Sequence, residues 1–219
     1  VPLIGFSGSP WTLATYMVEG KGGTDFLNIK EMLYARPDLI SHILKINTET
    51  VTKYLASQIE AGVDAVMIFD SWGGALAHSE YENHSLNFMK VIISNLNLLG
   101  YDNIPKIIFT KGGGQWLESQ AQIGASAIGL DWQTNMAKAR KTVGENITLQ
   151  GNLDPAILLS SPKAIEAAVK KVLDDYGHGE GHIFNLGHGI TQFTPPENVQ
   201  CMLETIRSYS PKFHNKYPK

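Results

Sequence analysis

Gly181-His182-Ile183-Phe184-Asn185-Leu186-Gly187-His188-Gly189 is an apolar run that ends in a polar tip, where a histidine sits between two glycines. In a parallel α/β protein this is the point at which a buried strand surfaces and its side chains meet a ligand. Glycines on both sides of His188 permit positive φ and close backbone approach. By itself the stretch is also readable as a strand-to-loop turn with an incidental histidine. Recurrence changes the reading, because the same strand-then-polar-tip pattern runs through the rest of the chain.

Upstream, apolar runs at residues 3–6, 65–69, 106–110, 127–130 and 147–150 read as strands, with 182–185 as the sixth. Helical patterns lie between them. Pro37 opens a long helix in which Ile40, Ile43, Leu44, Val51, Tyr54, Leu55 and Ile59 follow the 3.6-residue period of one buried face, and Gly62 closes it. Further helices are expected at about 81–99, 115–123 and 161–175, and from Thr194, where Thr194 and Glu197 have capping-box spacing. Asp154 followed by Pro155 suits an N-cap and first helical position. Residues 11–17 read as a loop or short helix, Gly20-Lys21-Gly22-Gly23 as a flexible segment, and the tail from Ser210 as frayed.

Short, apolar strands separated by helices argue for a parallel sheet covered on both faces. A closed (β/α)8 TIM barrel needs eight such units. About six are legible in these 219 residues, and the chain opens directly in strand-like sequence at Val1. The expectation is an α/β fold, an incomplete barrel comprising strands 3–8 in one domain, residues 1–219. An open doubly wound sheet is the competitor, but the first strand is not followed by Gly-x-Gly-x-x-Gly and no Gly-x-x-x-x-Gly-Lys-Ser/Thr occurs.

With 43% hydrophobic residues the chain can bury a core, and a net charge of −3 offers no general attraction to nucleic acid or an anionic membrane. One cysteine, Cys201, cannot form an internal disulfide and fits a reducing compartment. No apolar run is long enough to span a bilayer and no signal peptide opens the chain, so a cytoplasmic protein is expected.

In a barrel the strand C-termini converge on one face. The tips then offer Ser7 and Ser9 with Tyr16 just after, Asp70 and Ser71, Lys111, Asp131, Asn152 and Asp154, and Asn185 with His188. Each also has a structural reading. Asp154 is a helix cap, Asp131 a buried carboxylate that orders loops, and Lys111-Gly112-Gly113-Gly114 a flexible loop rather than a phosphate cradle. Tyr16 can pack its ring, though its hydroxyl needs a partner if buried. A metal site has little support: Cys201 has no histidine at ligand spacing, and His178 and His182 precede the last strand, at the opposite end from His188. No Gly-x-Ser-x-Gly elbow is present.

Several stretches in this order resemble the uroporphyrinogen decarboxylase family. They are Gly5-Phe6-Ser7-Gly8-Ser9-Pro10-Trp11-Thr12-Leu13 with Tyr16-Met17-Val18-Glu19-Gly20, Tyr34-Ala35-Arg36-Pro37, Phe69-Asp70-Ser71, Gly129-Leu130-Asp131-Trp132, Leu149-Gln150-Gly151-Asn152-Leu153-Asp154-Pro155 and Asn185-Leu186-Gly187-His188-Gly189. The last two are the most specific together. The resemblance implies a cofactor-free (β/α)8 barrel, homodimeric when complete. Its reaction removes the carboxyl groups of the four acetate side chains of uroporphyrinogen, giving coproporphyrinogen for haem and related tetrapyrroles. It implies substrate contacts at Tyr16, Ser71 and His188. The family's arginine-rich segment and its catalytic aspartate would fall upstream of Val1, so the resemblance places no catalytic residue in this chain. It implies a fragment that is inactive by itself and exposes two strand edges. A zinc-dependent corrinoid methyltransferase shares the barrel and is the alternative, but its His-x-Cys and second Cys ligands have no counterpart at these tips.

Overall fold

The computed structural model describes residues 1–22 and 25–214; Gly23 of the glycine-rich segment and the tail beyond 214 lie outside the described residues. The chain divides into two compact units, Val1–Ile128 and Gly129–Lys219.

In the first unit β1 (Ile4–Gly8), β2 (Ala65–Asp70), β3 (Lys106–Thr110) and β4 (Ala127–Gly129) follow one another in chain order. β1 and β2 pair in parallel with Ser7 opposite Ile68, and β2 pairs with β3 with Asp70 opposite Thr110. Between β1 and β2 run α1 (Pro10–Glu19), α2 (Leu27–Ala35) and α3 (Pro37–Glu60). Residues 11–17 are thus a full helix, started by Ser9, whose hydroxyl accepts the Thr12 N–H at 3.0 Å. α2 carries no start signal in the sequence: its cap residue Phe26 sits at φ 57° with no side-chain cap bond.

α3 buries Ile40, Leu44, Val51 and Leu55 as the periodicity requires, but Tyr54 is exposed. Its buried face is completed instead by Asn47, Thr48 and Thr52. The two threonine hydroxyls return to carbonyls one turn back, at 2.7 and 2.8 Å, and Asn47 Nδ2 donates to Pro10 O at 3.2 Å. Buried polar groups with partners carry little penalty, so the stripe tolerates them.

After β2 come α4 (His78–Tyr81), a π-helical turn (Glu82–Leu86) and α5 (Asn87–Leu98), one continuous helical stretch where a single helix is expected. After β3 a 3₁₀ turn (Gly113–Trp116) leads into α6 (Leu117–Gln120). Met67, Ile107, Phe109 and Ala127 form a sheet-side core cluster. The Met67, Ile107 and Phe109 side chains each contribute about 1.5–3 kcal/mol by leaving water.

The second unit contains α7 (Met136–Val143), a helix the sequence reading passes over, started by Asn135, whose side chain accepts the Lys138 N–H at 2.8 Å. β5 (Thr148–Leu153) runs parallel to β6 (His182–Leu186), with Asn152 opposite Asn185. Between them, Asp154 caps a 3₁₀ turn (Pro155–Leu159), and Ser161 caps α8 (Pro162–Tyr176). α9 (Pro196–Tyr209) starts from Pro195 without a side-chain cap. The Thr194–Glu197 capping box does not form, because Thr194 lies one residue too early. Its hydroxyl meets Thr191 Oγ1 at 3.4 Å instead. Leu153, Leu158, Ile165, Val169, Leu173 and Met202 form the core of this unit. Leu203 is exposed, and Asn198 and Thr205 take the inward positions on α9. Among the described residues there are thus six β-then-α repeats, the alternation of a (β/α) barrel.

Candidate functional site

In the first unit, the tip of β2 organises its surroundings. Asp70 is fully buried. Its Oδ1 accepts from Ser9 Oγ at 2.7 Å and Thr12 Oγ1 at 3.0 Å, and its Oδ2 accepts from Ser85 Oγ at 2.7 Å and Thr110 Oγ1 at 3.3 Å. Since Thr110 gives its hydrogen to the carboxylate, it must accept from Tyr81 Oη at 2.9 Å, which in turn accepts from Gln120 Nε2 at 3.0 Å. Burial raises the Asp70 carboxyl above its ordinary range, opposed by the hydroxyl donors. The Tyr81 phenol is raised by burial first and by the neighbouring Asp70 charge second.

Asp70 thus differs from the solvent-facing tip residue the sequence suggests: it is an internal acceptor. The π-helical turn places Ser85 in this network, a position that helical periodicity alone does not mark. Thr12, Ser85, Thr110, Tyr81 and Gln120 are absent from the sequence-derived candidates. Only Thr12, three residues after a Ser-Pro helix start, carried a usable signal.

Ser71, the next residue, is half-buried. Tyr16, four residues beyond Thr12 on α1, is 44% exposed and meets Trp72 edge-on with ring centroids 6.2 Å apart. Phe26 also packs on Trp72, with ring centroids 5.0 Å apart, and Lys111 Nζ stands 5.9 Å from the Trp72 ring centroid. The Lys111-Gly112-Gly113-Gly114 run is neither a flexible loop nor an open cradle. A Cβ on Gly113 would lie 2.8 Å from Thr110 Cβ, and one on the neighbouring Gly74 would lie 2.1 Å from Lys111 O. At Gly74 the obstruction is the backbone of residues 111–112, and at Gly113 it is the Thr110 and Gln120 side chains.

In the second unit, Asp131 is buried, and its Oδ1 accepts from Gln133 N at 3.2 Å and Thr134 Oγ1 at 3.1 Å. It orders the turn before α7. Asn152 is buried too and clamps that turn from the β5 side, donating to Asp131 O at 2.8 Å and Thr134 O at 2.6 Å. Asp154 accepts the Ala156 N–H at 2.9 Å and is a cap. Asn185 and His188 are exposed, and the His188 ring stands edge-on to Trp132 at 6.4 Å.

Gly187 is buried, and a Cβ there would fall 2.5 Å from Trp132 N; a Cβ on Gly189 would meet nothing within 4 Å. Neither glycine has positive φ. Close approach explains the first of the pair, and conformational freedom explains neither. His182 stacks on Tyr176 at 4.3 Å and its Nε2 lies 3.1 Å from Gly151 O. Among the described residues no group of three or more His, Cys, Asp and Glu is placed to hold a metal ion. None of their helices is long and apolar enough to cross a membrane.

Three comparisons bear on this arrangement. The family model of uroporphyrinogen decarboxylase matches residues 1–209. A uroporphyrinogen decarboxylase of Methylobacillus flagellatus is 61% identical over 215 residues, covering 98% of this chain and 61% of that protein. Another, from Nitrosospira multiformis, is 59% identical, covering 98% of this chain and 59% of its own length. The chain thus spans about three-fifths of the relatives it matches. Among solved structures, a methyltransferase from Methanosarcina mazei superposes with a TM-score of 0.80 at 22% identity, covering 95% of this chain and 59% of that one. At that identity the likeness is one of fold, a (β/α) barrel represented here by six units. The chain belongs to the uroporphyrinogen decarboxylase family.

Proposed function

We propose that this chain, acting as one domain over residues 1–219, takes part in cofactor-free decarboxylation of the four acetate side chains of uroporphyrinogen to give coproporphyrinogen. The observation that carries the reading is the orientation of polar groups at the strand tips. Two tip carboxylates are buried and satisfied, Asp70 in the first unit and Asp131 in the second, and the exposed Asp154 is engaged as a cap. Donors are found among the more exposed groups: the Tyr16 hydroxyl and half-buried Ser71 in the first unit, the His188 imidazole in the second. In each unit, exposed donors of this kind suit carboxylate groups of a substrate.

Tyr16, Ser71 and His188 each donate to a substrate carboxylate, His188 most strongly when protonated. The chemistry requires an electron sink. Protonation of a pyrrole ring carbon supplies it: the C–C bond to the carboxylate breaks, its electron pair enters the cationic ring, and CO₂ leaves. Reprotonation at the methylene carbon and loss of the ring proton then give a methyl group. The protein's part is to bind the anions and stabilise the ring cation. The enzyme works in the cytoplasm as a homodimer.

The test is turnover of uroporphyrinogen, after chelation of metals, by a longer polypeptide that joins residues 1–219 to the upstream arginine-rich segment the resemblance implies. The expected result is stepwise formation of coproporphyrinogen. No decarboxylation under conditions where a related enzyme turns over would sink the reading.

A further inference from the structure

We propose that Asp70 is a positioning residue: through Ser9 and Thr12 its carboxylate fixes α1, and with it the Tyr16 hydroxyl, relative to Ser71 on the tip of β2. The inference rests on the reading of Tyr16 and Ser71 as substrate contacts. Asp70 touches neither a substrate nor solvent; it lies fully buried, immediately before Ser71 in the chain. Two of its four hydroxyl donors, Ser9 and Thr12, belong to the start of α1.

Each of those two has a second bond that spreads the constraint. Ser9 Oγ accepts the Thr12 N–H at 3.0 Å, which sets the first turn of the helix, and Ser9 N donates to Phe69 O at 2.8 Å. Thr12 Oγ1 accepts the Trp72 N–H at 3.3 Å, which ties the residue after Ser71 to the same helix. Tyr16 stands one turn beyond Thr12, on the same side of α1, with its ring against Trp72. The carboxylate therefore closes a loop of contacts whose two free ends are the Tyr16 and Ser71 hydroxyls.

Helix formation alone does not require Asp70, since Ser9 caps α1 by itself. What the carboxylate adds is orientation. It holds the Ser9 and Thr12 hydroxyls in single rotamers, and its second oxygen accepts from Ser85 and Thr110, which belong to elements other than α1. Gly73 folds the chain directly over it: a Cβ there would lie 1.8 Å from Asp70 Oδ2. Hydroxyl donors at fixed spacing recognise carboxylates at fixed spacing, and misplacement by about 1 Å costs up to about 10²-fold in rate.

The experiment compares Thr12→Val with Ser85→Ala in the polypeptide carrying this sequence. Each removes one hydroxyl from the same carboxylate, but only Thr12 leads to α1 and Trp72. Urea unfolding measures stability, and kcat/KM is measured in the wild-type and Tyr16→Phe backgrounds. We expect comparable stability losses from the two variants. Thr12→Val should lower kcat/KM about tenfold, mostly through KM, whereas Ser85→Ala stays within about twofold of wild type, because Thr110 Oγ1 still anchors Asp70 Oδ2. In the Tyr16→Phe background the Thr12→Val effect should shrink to about twofold or less, because the hydroxyl it positions is gone. Equal kinetic losses from Thr12→Val and Ser85→Ala, or Thr12 and Tyr16 effects that multiply independently, would overturn the inference while leaving the proposed function standing. No turnover by the unsubstituted enzyme, or no effect of Tyr16→Phe, would overturn the functional reading and this inference with it.

Discussion

Alanine placed at Gly187 and at Gly189 in separate variants gives a sharp test, because the two glycines flank His188 symmetrically in sequence and differ in the fold. At Gly187 a Cβ would sit 2.5 Å from Trp132 N, 3.0 Å from Asp131 C and 3.1 Å from Asp131 Cα. Ordinary contact begins near 3.4 Å, so the two backbones must separate by about 0.9 Å. The obstructing atoms are main chain, and the turn they belong to is clamped by Asn152, so relief by a side-chain rotation is not open. Overpacking of this kind costs about 1–3 kcal/mol, and the reduced freedom of the unfolded chain returns about 0.4–1 kcal/mol. The net expectation for Gly187→Ala is a loss of about 1–2 kcal/mol.

Gly189→Ala meets nothing within 4 Å and demands no positive φ. It should be neutral or stabilising by up to about 1 kcal/mol. Urea midpoints at unchanged m-value report the difference. In a turnover assay, Gly187→Ala shifts the residue beside it and lowers kcat/KM up to about 10²-fold, while Gly189→Ala retains near-normal activity. Equal stability losses from both variants, or a larger one from Gly189→Ala, would refute the close-approach argument.

Three further outcomes are expected. Asn152→Ala leaves two carbonyls without their donor and should destabilise by about 2–3 kcal/mol in urea unfolding; a change below about 0.5 kcal/mol would show that the clamp is dispensable. Asp70→Asn should become more favourable relative to wild type as pH rises above the unfolded carboxyl value of 3.8. A raised folded pKa keeps the proton on the native state longer, so its contribution is complete below the unfolded value and is lost as pH rises through the folded one. A pH series of unfolding curves in which the wild type instead gains on Asp70→Asn would show that the four hydroxyls outweigh burial. Tyr16→Phe should leave stability unchanged within about 0.5 kcal/mol, since the side chain is 44% exposed, yet lower kcat/KM for uroporphyrinogen about tenfold.

Much was legible in the residues themselves because it is local. Apolar runs bounded by glycine and polar residues locate the described strands, Asp154 and Ser161 mark helix starts through bonds made within three residues, and Pro37 marks one through its fixed φ. Where local signals are weak the residues do not mark the element: α7 is short, α2 begins at Phe26 without a polar cap, and β5 continues through Gly151 and Asn152 to Leu153.

The roles of the strand-tip residues were a different matter. Asp70, Asp131 and Asn152 all read as polar groups at strand ends, which is correct and insufficient. Whether such a group faces inward depends on the donors that meet it, and those of Asp70 come from residues 9, 12, 85 and 110, far apart in the chain. The same limit applies to Gly187 and Gly189. Sequence shows two residues without side chains, but only the approach of the Asp131–Trp132 backbone decides that one of them can have none. The chain by itself determined the β/α alternation, the family and the set of polar residues at the strand tips, because each depends on short-range pattern. Which of those residues are structural and which are left to meet a ligand was decided by the tertiary structure, because burial, and for Asp70 and Asn152 the hydrogen-bond partners too, depend on segments distant in the chain.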